Sequence, residues 1–286
     1  MKKLKQILAQ VKAANDTDPA YIDLLWQLIC YSPKMPLRLL QQQMLDEAER
    51  FTLSTYDEHF THTDLTFNGF IWGSGGRTIM ITHGWGSKAA DFMELIAALR
   101  EIPDTNIIAF DVPGNGSSEA ELSNGALFSG AAEAVIAEYG MPDVLIGHSM
   151  GGMANTVALN SFAARPHLLI SITPLIRLKE NFENSMTAVG VAPAWQQAYL
   201  ESFTELVGRP ASDYDLDKFY QFDAELAHLL LYDDVDLISP YPFMHDFLEK
   251  RPFIQSQNFP GAGHERIIKS PEVIALIIAK INAILE

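Results

Sequence analysis

Apolar positions along the chain change period several times, and each change marks an element. Leu4, Ile7, Leu8 and Val11 recur at helical spacing. Residues 21–28 form the most apolar of three helix candidates within residues 1–50, and Pro33 and Pro36 separate the second from the third. Strand-like stretches follow at residues 51–55 and 64–72, then the turn Gly73-Ser74-Gly75-Gly76. That glycine run lacks the Gly-Lys-Ser/Thr ending of a phosphate loop and leads into a strand. From Thr78 short apolar runs at 78–82, 107–110, 144–146, 167–172, 229–232 and 253–259 read as strands, and residues 91–100, 125–139 and 150–162 read as the helices between them. Such alternation predicts an α/β fold, a mostly parallel sheet with helices on both faces. No internal repeat is visible.

Residues 177–221 break this rhythm. The segment is too long for an ordinary connection and carries helical patterning with Phe182, Met186, Trp195, Tyr199, Phe203 and Leu206.

At 286 residues and 48% hydrophobic, the chain suits one large domain better than two equal ones. Asp and Glu number 36 against 20 Lys and Arg, and the net charge of −16 opposes nucleic acid and anionic membrane surfaces as partners. A small neutral or apolar substrate fits better. The opening Met1-Lys2-Lys3-Leu4-Lys5 has the charge of a signal peptide, but Lys12, Asn15 and Asp16 interrupt any apolar core for one, and no stretch is long enough to span a bilayer. Cys30 is the single cysteine, so no internal disulfide forms; beside Leu28 and Ile29 it reads as a core residue. The expected address is the cytoplasm.

In the run Val144-Leu145-Ile146-Gly147-His148-Ser149-Met150-Gly151-Gly152 an apolar strand passes through Gly-x-Ser-x-Gly into a helix-compatible segment. A serine on such a strand-to-helix elbow is a candidate nucleophile, so Ser149 needs a base and a group to orient that base. Both types of residue follow. After the 229–232 strand comes the acidic loop Asp233-Asp234-Val235-Asp236-Leu237-Ile238-Ser239-Pro240, and after the 253–259 strand comes Gly261-Ala262-Gly263-His264.

The 78–82 strand runs into His83-Gly84-Trp85-Gly86-Ser87, and the 107–110 strand into Asp111-Val112-Pro113-Gly114-Asn115-Gly116-Ser117-Ser118. With these motifs in this order, residues 64–286 resemble the α/β-hydrolase superfamily, in its serine-nucleophile, esterase- and lipase-like branch. The resemblance implies the α/β-hydrolase fold with a small helical lid, in a 51–286 catalytic domain holding the lid at 177–221; the helix candidates of residues 1–50 lie outside the family motifs and read as an N-terminal helical extension. It implies that Ser149 attacks, that His264 takes and returns the proton, and that backbone N–H groups of Trp85 and Met150 stabilise the oxyanion. The family's acid sits four residues before a proline, which selects Asp236, with Asp233 the alternative. The lid side chains Phe182, Met186, Trp195 and Tyr199 would then shape the substrate pocket or hold the helical insertion together.

The expected function is carboxylic ester hydrolysis through an acyl-enzyme, without a cofactor or metal. The same residues could serve C–C, thioester or amide cleavage, cofactor-free lyase chemistry or perhydrolysis, or survive in a ligand receptor. Dehalogenase and epoxide hydrolase relatives carry aspartate where this chain has Ser149. His83-Gly84-Trp85 lacks the consecutive glycines of the His-Gly-Gly-Gly type, and a bulky Trp85 there leads us to expect compact or medium acyl groups over esters of tertiary alcohols. His83 and His148 read as loop-shaping residues, and His59-Phe60-Thr61-His62 lacks a third ligand for a metal. Residues 1–50 could support a dimer or cover a sheet edge; oligomeric state has no signal in the sequence.

Overall fold

The computed structural model describes residues 2–13 and 20–285; Asn15 and Asp16 lie outside them. Three helices open the chain, α1 (Lys2–Ala13), α2 (Tyr21–Cys30) and α3 (Leu39–Asp46). Eight strands follow: β1 (Glu49–Tyr56), β2 (Asp64–Gly73), β3 (Arg77–Thr82), β4 (Thr105–Phe110), β5 (Val144–His148), β6 (Leu168–Ile172), β7 (Ala227–Tyr232) and β8 (Gln255–Asn258). They form one sheet in the order β1-β2-β4-β3-β5-β6-β7-β8, with β2 antiparallel to β1 and β4 and every other pair parallel.

Both faces of the sheet are covered, which is why its central strands read as continuous apolar runs. Alternation along each strand divides the core in two. Met80, Leu145, Leu169 and Leu230 pack on one face with α5 (Gly125–Tyr139) and α6 (Met150–Leu159). Ile79, Ile146, Ile170 and Leu231 pack on the other with α4 (Met93–Leu99) and α11 (Pro271–Leu285). Asn124 caps α5, its side-chain oxygen accepting the Leu127 N–H at 2.9 Å.

The β6–β7 insertion holds α7 (Leu178–Ala188), α8 (Pro193–Val207) and the short α9 (Leu216–Phe219), and α10 (Tyr241–Glu249) follows β7. Several boundaries differ from the expected ones by one to three residues. The last strand is only Gln255–Asn258, because Ile254 is turned back by its N–H bond to the Arg251 carbonyl and buried in the core. Residues 89–92 form a 3₁₀ turn before α4 starts at Met93. None of the described helices is long and apolar enough to cross a membrane.

Parallel pairing puts the C-terminal ends of β3, β5, β6, β7 and β8 on one edge of the sheet. The loops after them therefore converge, bringing residues 83–87, Ser149, Thr173, the acidic loop and Gly261–His264 to one place.

Candidate active site

Ser149 leaves β5 with φ 52° and ψ −119°, a backbone conformation that L-residues avoid. The surroundings impose it. Its N–H donates to the Ile172 carbonyl at 3.0 Å, and its carbonyl accepts the N–H groups of Gly152 and Leu175, both at 3.0 Å. The flanking glycines make room: a Cβ on Gly147 would lie 2.6 Å from the Gly151 oxygen, and one on Gly151 would lie 2.4 Å from the oxygens of both Thr82 and His83. Strain of this kind, on the order of 1–3 kcal/mol, persists only where packing over-determines it. The helix α6 begins at the next residue, so its N-terminal amides and the positive end of its dipole lie at the serine.

The structure brings Ser149, His264 and Asp236 together. His264 Nε2 is 2.9 Å from Ser149 Oγ, and His264 Nδ1 is 2.6 Å from Asp236 Oδ2. The second Asp236 oxygen accepts the N–H groups of Ile238 at 2.8 Å and Ser239 at 3.2 Å. Burial pushes the Asp236 carboxyl up, but the His264 hydrogen bond, the charge of that ring and the two amides outweigh it, and the group is held below its ordinary range. An ionised Asp236 accepts the hydrogen bond of the His264 Nδ1–H, which leaves Nε2 to accept the serine O–H.

Asp233 is also buried, but it faces other partners. Its carboxylate accepts the N–H groups of Val235 at 3.0 Å, Gly261 at 3.1 Å and Gly263 at 2.7 Å. It ties the acidic loop to the loop that carries His264. Spacing to Pro240 and the geometry thus point at the same carboxylate, Asp236, as the partner of His264.

Two further histidines shape the loops. Val112 N–H donates to His83 Nε2 at 3.0 Å, which puts the ring proton on Nδ1, donated to the Gly84 carbonyl at 2.7 Å. His148 Nε2 donates to the backbone carbonyl of His264 at 2.8 Å. Burial, with the nearby His264 charge, pushes the His148 imidazole down to about 3, so the ring is neutral.

The loop after β3 lies directly on the elbow: a Cβ on Gly84 would come within 2.8 Å of His148 Nδ1 and 3.0 Å of Ser149 Cβ. Trp85, partly buried, stacks on Phe128 with ring centres 6.0 Å apart, and Met150 is buried at the start of α6. The Asp111 turn supports this loop from the next strand. Asp111 accepts the Ala89 N–H at 2.8 Å and both the N–H and O–H of Ser117 at 2.8 Å.

In the β6–β7 insertion, Phe182, Met186 and Tyr199 are buried. Phe182 meets the edges of Tyr199 and Phe203 at 5.6 and 5.5 Å between ring centres. These side chains also contact the N-terminal helices. Trp26 of α2 donates its indole N–H to Ser202 Oγ at 2.7 Å and lies 4.9 Å from the Tyr199 ring, while Tyr21 meets Trp195 edge-on at 5.0 Å. Trp26 is a residue that sequence reasoning passed over, since the insertion residues it meets lie more than 170 positions away. Arg177 at the base of the insertion is 3.0 Å from Asp246 and packs over the Phe243 ring. Among the described residues, His245, Asp246 and Glu249 hold possible ligand atoms within 4.8 Å of one another, on one face of α10 where Asp246 is already paired with Arg177.

A profile of the Alpha/beta hydrolase family matches residues 79–277, and the chain belongs to that family. It is 29% identical over 143 residues to a dihydrolipoyllysine-residue acetyltransferase component of an acetoin cleaving system from Pseudomonas putida, covering 49% of this chain and 34% of that protein. It is 33% identical over 113 residues to protein phosphatase methylesterase 1 of Mus musculus, covering 36% of this chain and 28% of the relative. The chain thus spans about a third of the length of these relatives. A solved esterase of Pyrococcus furiosus superposes with TM-score 0.60 at 17% identity, over 90% of this chain and 97% of the esterase.

Proposed function

We propose that the protein is a serine hydrolase cleaving carboxylic esters through an acyl-enzyme on Ser149. The observation that carries this reading is the unbroken run of hydrogen bonds from Ser149 Oγ through His264 to a buried, ionised Asp236, on a strained elbow at the head of a helix. An esterase among the structural neighbours and a methylesterase among the relatives support an ester as the bond broken.

In this mechanism Ser149 Oγ adds to the ester carbonyl carbon while its proton passes to His264 Nε2, and Asp236 stabilises the imidazolium. The carbonyl oxygen becomes an oxyanion facing the backbone N–H groups of Trp85 and Met150. Collapse expels the alcohol, which takes the proton from His264 and leaves the acyl group on Ser149. Water repeats the sequence, giving its proton to His264 and releasing the carboxylic acid and the free serine. The β6–β7 insertion acts as the lid. With Trp85 beside the oxyanion, compact or medium acyl groups on primary or secondary alcohols are the preferred substrates.

Labelling by a fluorophosphonate probe, compared with Ser149→Ala, tests this assignment. Labelling that disappears in the variant supports it, and p-nitrophenyl esters of graded chain length then size the pocket. Folded wild-type protein that neither labels nor hydrolyses any of these esters would overturn it, and equal rates on matched secondary- and tertiary-alcohol esters would overturn the size preference.

A further inference from the structure

We propose that Ser32, in the segment joining α2 to α3, is a positioning residue for the Trp85–Gly86 backbone, so that the N-terminal extension is a working part of the active site. The inference rests on the reading of the Trp85 N–H as an oxyanion donor.

The 30–34 segment is clamped along the turn that follows β4. Tyr31 forms an isolated antiparallel bridge with Leu122, Ser123 N–H donates to the Cys30 carbonyl at 2.8 Å, and Lys34 Nζ donates to the Ser118 carbonyl. Between these contacts Ser32 is 2% exposed, with its Oγ 2.6 Å from Asn115 Oδ1. Asn115 is 1% exposed and uses every hydrogen-bonding capacity of its amide. Its Nδ2 donates to the Pro113 carbonyl at 3.3 Å and to Ser123 Oγ at 3.2 Å, and its Oδ1 accepts the Gly86 N–H at 3.1 Å as well as the Ser32 hydroxyl. A backbone N–H can only donate, so the amide orientation is fixed by Gly86, and Ser32 must be the donor in its own bond.

A second grip acts at the far end of the same loop. Gln41 of α3 donates Nε2 to the Ala90 carbonyl and to Asp91 Oδ1, both at 3.0 Å, while its Oε1 accepts the Arg38 N–H at 3.0 Å.

The loop between these grips needs them. Gly84 and Gly86 flank Trp85, and Gly86 sits at φ 69°, so the backbone there has little stiffness of its own. The Asn115 oxygen sets where the Gly86 amide points, and with it the peptide that follows Trp85. A donor to an oxyanion is worth most when it is already aimed at the charge that develops, and this gain appears only in the transition state. Loss of the Ser32 hydrogen bond should therefore lower kcat and leave KM nearly unchanged.

The test compares Ser32→Ala with Ser32→Thr, which keeps the hydroxyl, and with Ser32→Cys, which keeps the shape with a weaker donor. Steady-state hydrolysis of p-nitrophenyl butyrate is measured beside hydrogen exchange at the Gly86 amide. Removing an oxyanion donor outright costs about 10²–10³ in kcat, so a displaced one should cost roughly 10-fold in Ser32→Ala, with KM within about twofold. We expect an intermediate loss in Ser32→Cys, recovery in Ser32→Thr, and faster Gly86 exchange that follows the same order. A wild-type kcat in folded Ser32→Ala, or a loss carried by KM alone, overturns the proposal. Should wild-type protein hydrolyse no ester, the ester reading fails, and Gly86 exchange decides the positioning claim by itself: exchange unchanged in both Ser32→Ala and Ser32→Cys overturns it.

Discussion

His148 Nε2 lies 2.8 Å from the backbone carbonyl oxygen of His264, so the residue preceding Ser149 holds the loop that carries the base proposed for it. The Ser149 elbow and the His264 loop are thus joined twice, once through the Ser149 and His264 side chains and once through this bond. Burial keeps the His148 ring neutral, with its proton on Nε2, where it makes this bond. The consequences of this construction can be measured.

Ser149→Ala and His264→Ala should each lower turnover by about 10⁴ to 10⁶, because residues acting as a unit lose most of their effect when any one is removed. Asp236→Asn should cost less, since Ser149 and His264 remain. Single-turnover kinetics with an activated ester check the order, and near-normal turnover in Ser149→Ala would remove the serine from the mechanism.

Asp233→Ala should act through stability and loop order. It leaves the amides of Val235, Gly261 and Gly263 without their acceptor. An unsatisfied buried group costs about 1–3 kcal/mol, so urea unfolding should show a loss of that size, with a smaller loss of turnover than Asp236→Asn gives. A stability equal to wild type would show that water replaces the carboxylate at no cost.

Stability should fall as pH drops below 6.5. His148 and His228 are both pushed down to about 3 by burial, with the His264 charge adding for His148 and the Arg251 charge for His228. Their folded values are depressed, so below pH 6.5 the unfolded chain binds protons that the folded chain does not. Each histidine then removes stability by up to about 1.4 kcal/mol per pH unit, until the folded ring itself titrates near 3. His228 sits between Tyr220 at 3.0 Å and Ser171 at 2.9 Å, away from Ser149. Urea unfolding between pH 7.5 and 5 should show the slope, and His228→Gln should reduce it by about half of the pair's share; an unchanged slope would show that His228 is protonated in the fold.

Trp26→Ala should loosen the β6–β7 insertion. The substitution deletes the bond to Ser202 and the ring contacts with Tyr199 and Phe203. Truncating a tryptophan in such packing costs about 3 kcal/mol or more. Limited proteolysis should cut faster at residues 189–192, between α7 and α8, while the sheet stays protected; equal cutting rates would show that α2 does not restrain the insertion.

Much of this fold was legible locally. The central strands are apolar on both sides because helices cover both faces, and that pattern needs no knowledge of partners. The Ser149 elbow was equally plain, since the glycines at 147 and 151 are the residues that let the chain pass there. Phe253 and Ile254 misled the reading of the last strand: their side chains serve the core from a turn, and the pairing residues 255–258 are polar because β8 lies on the edge of the sheet. Aromatic patterning in the insertion announced helices, but nothing in it named Trp26 and Tyr21 as the surfaces they pack on.

By itself the sequence determined the alternation of strand and helix, the elbow at Ser149 and the glycine-rich loops, because each rests on periodicity or on backbone freedom within a few neighbouring residues. Tertiary structure alone decided that His148 holds the His264 loop and that Ser32 reaches Gly86 through Asn115, and it set Asp236, already favoured over Asp233 by its spacing to Pro240, against His264. These are hydrogen bonds between residues far apart in the chain. They exist only after parallel pairing has carried the loops to one edge of the sheet, and burial has then required each polar group to find a partner.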